Sequence, residues 1–275
     1  MKLFIDSADL NEIKEAYSWK IIEGVTTNPS LMKKAIEKLN KKGEKISLES
    51  YIKKILKVAG KTPVSLEVTT NDYKNMIEEG KNIFNKFRKY GNTYIKIPVD
   101  PCLNLSCKKD FDGIKAIYKL SKLKIPINCT LIFSPEQALF AAKAGAKIIS
   151  PFVGREDDFI REKAHIKFRK NDYFNSLGII KEGEKISDNG IVSGIDLVKK
   201  CSEIIKLNGL KSEILAASIR NPRQLREVSL AGADIATLSL NVLKKSIKHK
   251  KTIEGVINFT KDVPLEYIKI SKQKK

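Results

Sequence analysis

Pro126-Ile127-Asn128-Cys129-Thr130-Leu131-Ile132-Phe133-Ser134-Pro135-Glu136-Gln137 decides how the rest of this chain is read. Up to Phe133 the stretch is of strand length and mostly apolar, which suggests burial on both faces, as in a parallel sheet. Ser134 then offers a side-chain oxygen as a helix N-cap, Pro135 suits the first helical position, and Gln137 completes a capping-box spacing. A buried strand running directly into a capped helix is one βα repeat.

Seven more runs rich in Val, Ile and Leu extend the pattern, at 2–6, 24–27, 63–68, 93–99, 147–153, 212–218 and 234–240. Helical segments with their own start signals lie between them. Asp9-Leu10-Asn11-Glu12 has capping-box form, and Asn28-Pro29 and Asn221-Pro222 each put a capping residue before a proline. Eight strands alternating with helices in 275 residues predict an α/β fold, a single (β/α)8 TIM barrel over 1–275. The rival is a doubly wound sheet, which normally shows fewer repeats and often a glycine-rich first turn. No G-x-G-x-x-G occurs here. Gly60-Lys61-Thr62 resembles the end of a phosphate-binding P-loop, but Ile55 stands where that motif needs glycine. It reads as a helix C-terminal turn.

Two stretches exceed what a barrel requires. Residues 100–110 lengthen the loop after the fourth strand, and an insertion at 156–190 lengthens the loop after the sixth. Both follow strands, so both belong to the C-terminal rim, where barrel active sites sit. The insertion is polar and charged, with Phe159, Phe168, Tyr173 and Phe174. A lid, an oligomer contact and a mobile segment all remain open readings of it.

Composition narrows the chemistry. Lys and Arg number 52 against 32 Asp and Glu, a net charge of +20. Such a surplus suits nucleic acid, anionic lipid or phosphorylated metabolites as partners. The lysines, however, spread along helices, as at Lys33, Lys34 and Lys38 or Lys53, Lys54 and Lys57, and look like solvated faces; the tail Lys272-Gln273-Lys274-Lys275 is also basic. No compact basic stripe with interleaved aromatics is present, so nucleic-acid binding is the remote alternative. No apolar run approaches the ~18 residues of a membrane span. Asp6 interrupts any signal-peptide core, so an intracellular, cytoplasmic protein beginning at Met1 is expected. The four cysteines do not make a disulfide scaffold, and two histidines leave little material for a metal site or a serine triad. Carboxylates, lysine or tyrosine must carry the chemistry.

Polar residues facing into a barrel near its C-terminal end are costly unless used. Asp6 ends the first strand, and Thr26 and Asn28 end the second. Glu67 lies near the end of the third, and Lys96 within the fourth between Ile95 and Ile97. Asn128 and Thr130 share a face of the fifth strand, and Ser150 and Phe152 a face of the sixth, with Arg155 just beyond; Ser218 and Arg220 close the seventh. An apolar barrel penalises the lysine ammonium, and a free amine can attack a ketone to form a Schiff base. A structural ion pair of Lys96 with Asp6 or Glu67 is the equal alternative. Arg220 precedes a helix start, where backbone N–H groups favour an anion, so a sugar phosphate would fit there; a surface salt bridge is the other reading.

Together these segments resemble the transaldolase family. The resemblance rests on Lys2-Leu3-Phe4-Ile5-Asp6, Gly24-Val25-Thr26-Thr27-Asn28-Pro29-Ser30, Lys96-Ile97-Pro98-Val99 and Asn128-Cys129-Thr130-Leu131-Ile132-Phe133-Ser134. It continues through Ser150-Pro151-Phe152-Val153-Gly154-Arg155, Ala217-Ser218-Ile219-Arg220-Asn221-Pro222 and Ala231-Gly232-Ala233-Asp234, in family order over essentially the whole chain. It implies a metal-free, cofactor-free class I mechanism with Lys96 as the Schiff-base lysine and Asp6 as the acid/base at the C4 hydroxyl. Glu67 and Thr130 would hold the water of imine formation and hydrolysis. Asn28, Asn128 and Ser150 would bind the dihydroxyacetone hydroxyls, and Arg155, Ser218 and Arg220 the phosphate. Thr26 and Phe152 count among the substrate-binding residues. The implied reaction moves dihydroxyacetone between sugar phosphates, from sedoheptulose 7-phosphate to glyceraldehyde 3-phosphate, in the non-oxidative pentose phosphate pathway. Fructose-6-phosphate aldolases of the same family carry tyrosine in place of Phe152 and glutamine in place of Glu67, so both positions favour the transferase. A homo-oligomer is expected; the insertion clouds its size and the acceptor preference.

Overall fold

The computed structural model describes residues 1–41, 43 and 46–272. Among these residues ten strands run in chain order: β1 (Lys2–Asp6), β2 (Gly24–Thr26), β3 (Val64–Glu67), β4 (Thr93–Pro98), β5 (Ile127–Ile132), β6 (Ile148–Pro151), β7 (Ile179–Lys181), β8 (Glu184–Ile186), β9 (Glu213–Ile219) and β10 (Ile235–Leu238). Twelve helices accompany them: α1 (Leu10–Ser18), α2 (Pro29–Lys41), α3 (Leu48–Ala59), α4 (Tyr73–Phe87), α5 (Asp112–Lys122), α6 (Pro135–Lys143), α7 (Val153–Lys163), α8 (Gly194–Leu207), α9 (Pro222–Leu230), α10 (Leu240–Ser246), α11 (Lys250–Lys261) and α12 (Leu265–Lys272). Eight strands close a parallel barrel in the order β1-β10-β9-β6-β5-β4-β3-β2. The expected (β/α)8 architecture is the observed one.

The two-residue alternation of strands sorts each one into an outer and an inner face. Ile5, Val25, Ile95, Ile97, Ile127, Cys129, Ile149, Ala216 and Leu238 belong to the core that also holds buried residues of the surrounding helices. Inner positions form a separate apolar cluster of Phe4, Ile148, Leu215, Ala217 and Ile235, with Tyr94 and Phe152 against it. Moving two residues onward from Phe4, Tyr94, Ile148 and Ile235 reaches Asp6, Lys96, Ser150 and Thr237. The interior is therefore an apolar floor under a polar C-terminal mouth. Gly24 makes room for that floor: a Cβ there would lie 2.5 Å from the Phe4 ring.

The capping signals act locally as read. Asp9 accepts from the N–H groups of Asn11 and Glu12, Asn28 from Leu31, Ser134 from Gln137 and Asn221 from Gln224. The capping box at Asp9 closes through an intermediary, because Ser7 Oγ accepts from the Asp9 N–H and donates to Glu12. Gly60 ends α3 with φ of 62°, as the helix-turn reading of 60–62 expects.

Three expectations need correction. The run 234–240 leaves the sheet at Leu238, since Ser239 caps α10. In the run 147–153 the strand ends at Pro151, Phe152 makes one last parallel bridge to Ala217, and Val153 already begins α7. Residues 156–190 are not simply a long loop. Its first eight residues, 156–163, belong to α7, which packs against α8 and β9, and residues 179–186 form the antiparallel β7–β8 hairpin. Cys102 and Cys107 are joined by a disulfide in the loop after β4, whereas Cys129 and Cys201 are free and buried.

Lys33, Lys34, Lys38, Lys54 and Lys57 are exposed, in keeping with the solvated-face reading. Of the basic tail, residues 273–275 lie outside the described residues. No helix among the described residues is long and apolar enough to cross a membrane. Helix α11 buries none of its residues and leaves Ile253, Val256, Ile257 and Phe259 exposed.

Candidate active site

A cavity of about 380 Å³ opens at the C-terminal mouth of the barrel. Asp6, Thr26, Asn28, Lys96, Thr130, Ser150, Phe152, Arg155, Ser218 and Arg220 all line it. Parallel register brings them together, because equivalent positions of successive strands sit side by side: Asp6 pairs with Thr26, and Glu67 with Lys96.

Lys96 is 6% exposed. Its Nζ lies 3.1 Å from Glu67 Oε2 and donates to the Thr27 carbonyl at 3.3 Å. Glu67 thus meets the lysine without lining the main cavity; it borders a neighbouring groove with Thr27, Asn28 and Met32. Thr130 Oγ1 is buried and has no hydrogen-bond partner among the described residues. A buried hydroxyl left unpaired is costly, and here it faces the cavity that Lys96 also lines.

Asp6 accepts from Thr26 Oγ1 at 2.7 Å, and Thr26 Oγ1 also meets Thr237 Oγ1 at 2.6 Å. Burial pushes the Asp6 carboxyl above the usual aspartate range; the Thr26 hydroxyl and the charges of Lys96 and Arg155 oppose this without cancelling it. The result is a carboxyl poised to take and return a proton.

Asn128 is placed differently from the others. It is fully buried, donates to Ser65 Oγ at 3.0 Å and accepts from Ser150 Oγ at 2.7 Å. Both ends of its amide are engaged across the barrel interior, so it steadies Ser150 beneath the cavity. Asn28 uses Oδ1 to cap α2, which leaves its amide nitrogen for the cavity it lines.

The far wall is cationic. Arg155 stacks its guanidinium 5.0 Å from the centre of the Phe152 ring. Arg220 sends its two terminal nitrogens to the two carboxylate oxygens of Asp158, each at 2.5 Å, and a third bond to the Lys170 carbonyl at 2.9 Å. Gly154 permits this packing, since a Cβ there would stand 2.5 Å from both Arg220 Nε and the Ser218 carbonyl. Ser218 itself has φ of 61°, a left-handed backbone rare for a residue with a side chain and a mark of stored strain at functional positions.

Sequence reading missed Lys170, Asn171, Thr237, Ser239 and Asn241, which also line the cavity. Thr237 and Ser239 share a face by the two-residue rule, a signal present in the run 234–240. Nothing local marked Lys170 and Asn171, which arrive from the insertion. On α7, Glu156 and Asp157 are buried where that helix packs against α8 and β9. Burial, with Asp188 and Asp157 nearby, pushes Glu156 up to about 7, and burial pushes Asp157 up to about 6. Both Glu156 carboxylate oxygens lack a hydrogen-bond partner among the described residues, while Asp157 accepts from Gly194 N and Gln224 Nε2.

The family model described as transaldolase/fructose-6-phosphate aldolase matches residues 3–275. A probable transaldolase of Nitrosopumilus maritimus is 38% identical over 264 residues, covering 95% of this chain and 94% of that protein. Another from Caldicellulosiruptor saccharolyticus is 41% identical over 263 residues, covering 95% of this chain and 96% of its own. A third, from Thermoplasma acidophilum, is 37% identical over 262 residues, covering 95% of each.

Proposed function

Because the chain belongs to the transaldolase/fructose-6-phosphate aldolase family, we propose that it is a transaldolase that moves dihydroxyacetone from sedoheptulose 7-phosphate to glyceraldehyde 3-phosphate. Erythrose 4-phosphate and fructose 6-phosphate are the products. The observation that carries this reading is a buried Lys96 amine, 3.1 Å from Glu67, in one cavity with Asp6.

Glu67 accepts a proton from the lysine ammonium, and the freed lone pair attacks C2 of the ketose. Loss of water from the carbinolamine, with its proton drawn from Glu67 and its oxygen held by Thr130, gives an iminium. Asp6 then removes the C4 hydroxyl proton. The C3–C4 bond breaks, its electron pair passes into the iminium to make an enamine, and C4 leaves as the new aldehyde. The acceptor aldehyde enters, the enamine carbon attacks it, and Asp6 returns the proton to the alkoxide. Water at Thr130 and Glu67 releases the product ketose and restores the amine. Asn28, Ser150 and Thr26 bind the dihydroxyacetone hydroxyls, with Asn128 behind Ser150; Arg155, Ser218 and Arg220 take the phosphate. Phe152 offers no hydroxyl to protonate a released enamine, which supports transfer over aldol release.

Incubation with fructose 6-phosphate followed by borohydride reduction should fix the sugar on Lys96. An adduct elsewhere, with activity lost, overturns the mechanism. Free dihydroxyacetone forming without acceptor, as fast as transfer, would identify an aldolase instead.

The protein is read as cytoplasmic, where phosphorylated sugars are retained. Cell fractionation that found it outside the cell would refute this. Self-association is also proposed, supported by the exposed Ile253, Val256 and Phe259 of α11, since apolar patches of that kind mark contact surfaces. A monomer in sedimentation at assay concentration would refute it.

A further inference from the structure

The phosphate wall contains one cation that the transaldolase motifs do not supply. Lys170 and Asn171 belong to the segment between α7 and β7, yet they line the same cavity as Lys96, Arg155 and Arg220. The segment is held there from both sides. Arg161 stands 4.9 Å from the ring centres of Phe168 and of Phe174, and donates to the Asp172 carbonyl at 2.8 Å. Asp172 in turn accepts from the Arg169 N–H at 2.7 Å, and Arg220 grips the Lys170 carbonyl. Lys170 therefore has a fixed backbone under an exposed, flexible side chain.

A count of charges shows what that side chain adds. A phosphate monoester brings about −1.5 to −2 charges at neutral pH. Arg220 keeps its Nε as a donor for a phosphate oxygen but adds little net charge, because its terminal nitrogens are paired with Asp158. Among the described residues no ion pair within 4.0 Å involves Arg155 or Lys170, although the Arg155 charge acts on the Asp6 carboxyl at longer range. Arg155 alone leaves roughly half of the phosphate charge uncompensated. A lysine on four rotatable carbons can also follow phosphates at unequal distances from the reacting carbonyl, which a clamped arginine fork cannot.

We propose that Lys170 is a substrate-phosphate-binding residue, so that the inserted segment completes the site with the second free cation. This rests on the transaldolase reading for the identity of the phosphorylated ligand. The test compares wild type with Lys170→Met and Lys170→Arg. It measures KM and kcat for fructose 6-phosphate with erythrose 4-phosphate as acceptor, and calorimetric binding of inorganic phosphate. The expected result for Lys170→Met is a KM about tenfold higher, with phosphate binding weakened to match, from loss of one charge-assisted contact. Lys170→Arg should recover most of both. Unchanged KM and phosphate binding in a folded Lys170→Met protein overturn the proposal, as does a loss confined to kcat. Absence of transfer in wild type, with phosphate binding still lost in Lys170→Met, would sink the reaction while upholding the anion site.

Discussion

Lys96 and Glu67 occupy paired positions on β4 and β3, with Nζ 3.1 Å from Oε2 and the lysine almost wholly buried. The sequence left a nucleophile and an ion pair as competing readings of Lys96. The geometry makes them compatible: in the proposed mechanism the ion-pair partner would also be the proton acceptor that a Schiff-base lysine needs.

Separating the two roles takes two substitutions. Lys96→Ala should abolish transfer and leave the barrel folded, because Ile95 and Ile97 still fill the outer core. Glu67→Gln keeps a hydrogen-bond partner for the ammonium but cannot take its proton. Its kcat should fall about 10²- to 10⁴-fold, with borohydride trapping at Lys96 slowed rather than lost. Circular dichroism showing an unfolded Lys96→Ala protein would instead assign the pair to stability.

For Asp6 the prediction concerns pH. As the base it must be ionised, and its raised pKa moves the acid limb of the kcat profile above the ordinary aspartate range. The Thr26 hydroxyl holds that pKa down, so Thr26→Val should move the limb to still higher pH. A profile that stays in place in Thr26→Val removes Asp6 from the proton transfer. Asp6→Asn should abolish cleavage while still allowing the lysine adduct to form.

Glu156 gives a stability prediction with a definite sign. Its folded pKa of about 7 lies above the ordinary glutamate value of 4.5. Between those values the folded chain holds a proton that the unfolded chain has lost, so stability falls as pH rises through that window. Glu156→Gln keeps the shape and has no charge to bury. The wild-type Tm should drop between pH 5 and pH 8 by several degrees more than that of Glu156→Gln. Equal drops would show that Glu156 is ionised or solvated in the folded protein.

Much of this molecule is written locally. The strand runs, the proline-marked helix starts at Asn28, Ser134 and Asn221, and the polar residues two positions beyond Phe4, Tyr94 and Ile148 follow from periodicity and capping. Periodicity and capping act over a few residues, and so the barrel and most of its mouth were legible in the chain. Other features depend on partners far away in sequence. Arg220 meets Asp158 across 62 positions. Asn128 is turned inward by Ser65 and Ser150, and Lys170 enters the cavity only because Arg161 and Arg220 hold its segment there. In the sequence, the run Glu156-Asp157-Asp158 simply opens a polar and charged stretch. Packing of α7 against α8 and β9 buries its first two members and gives the third to Arg220. Burial and long-range pairing are properties of the closed barrel, so only the tertiary structure could decide them.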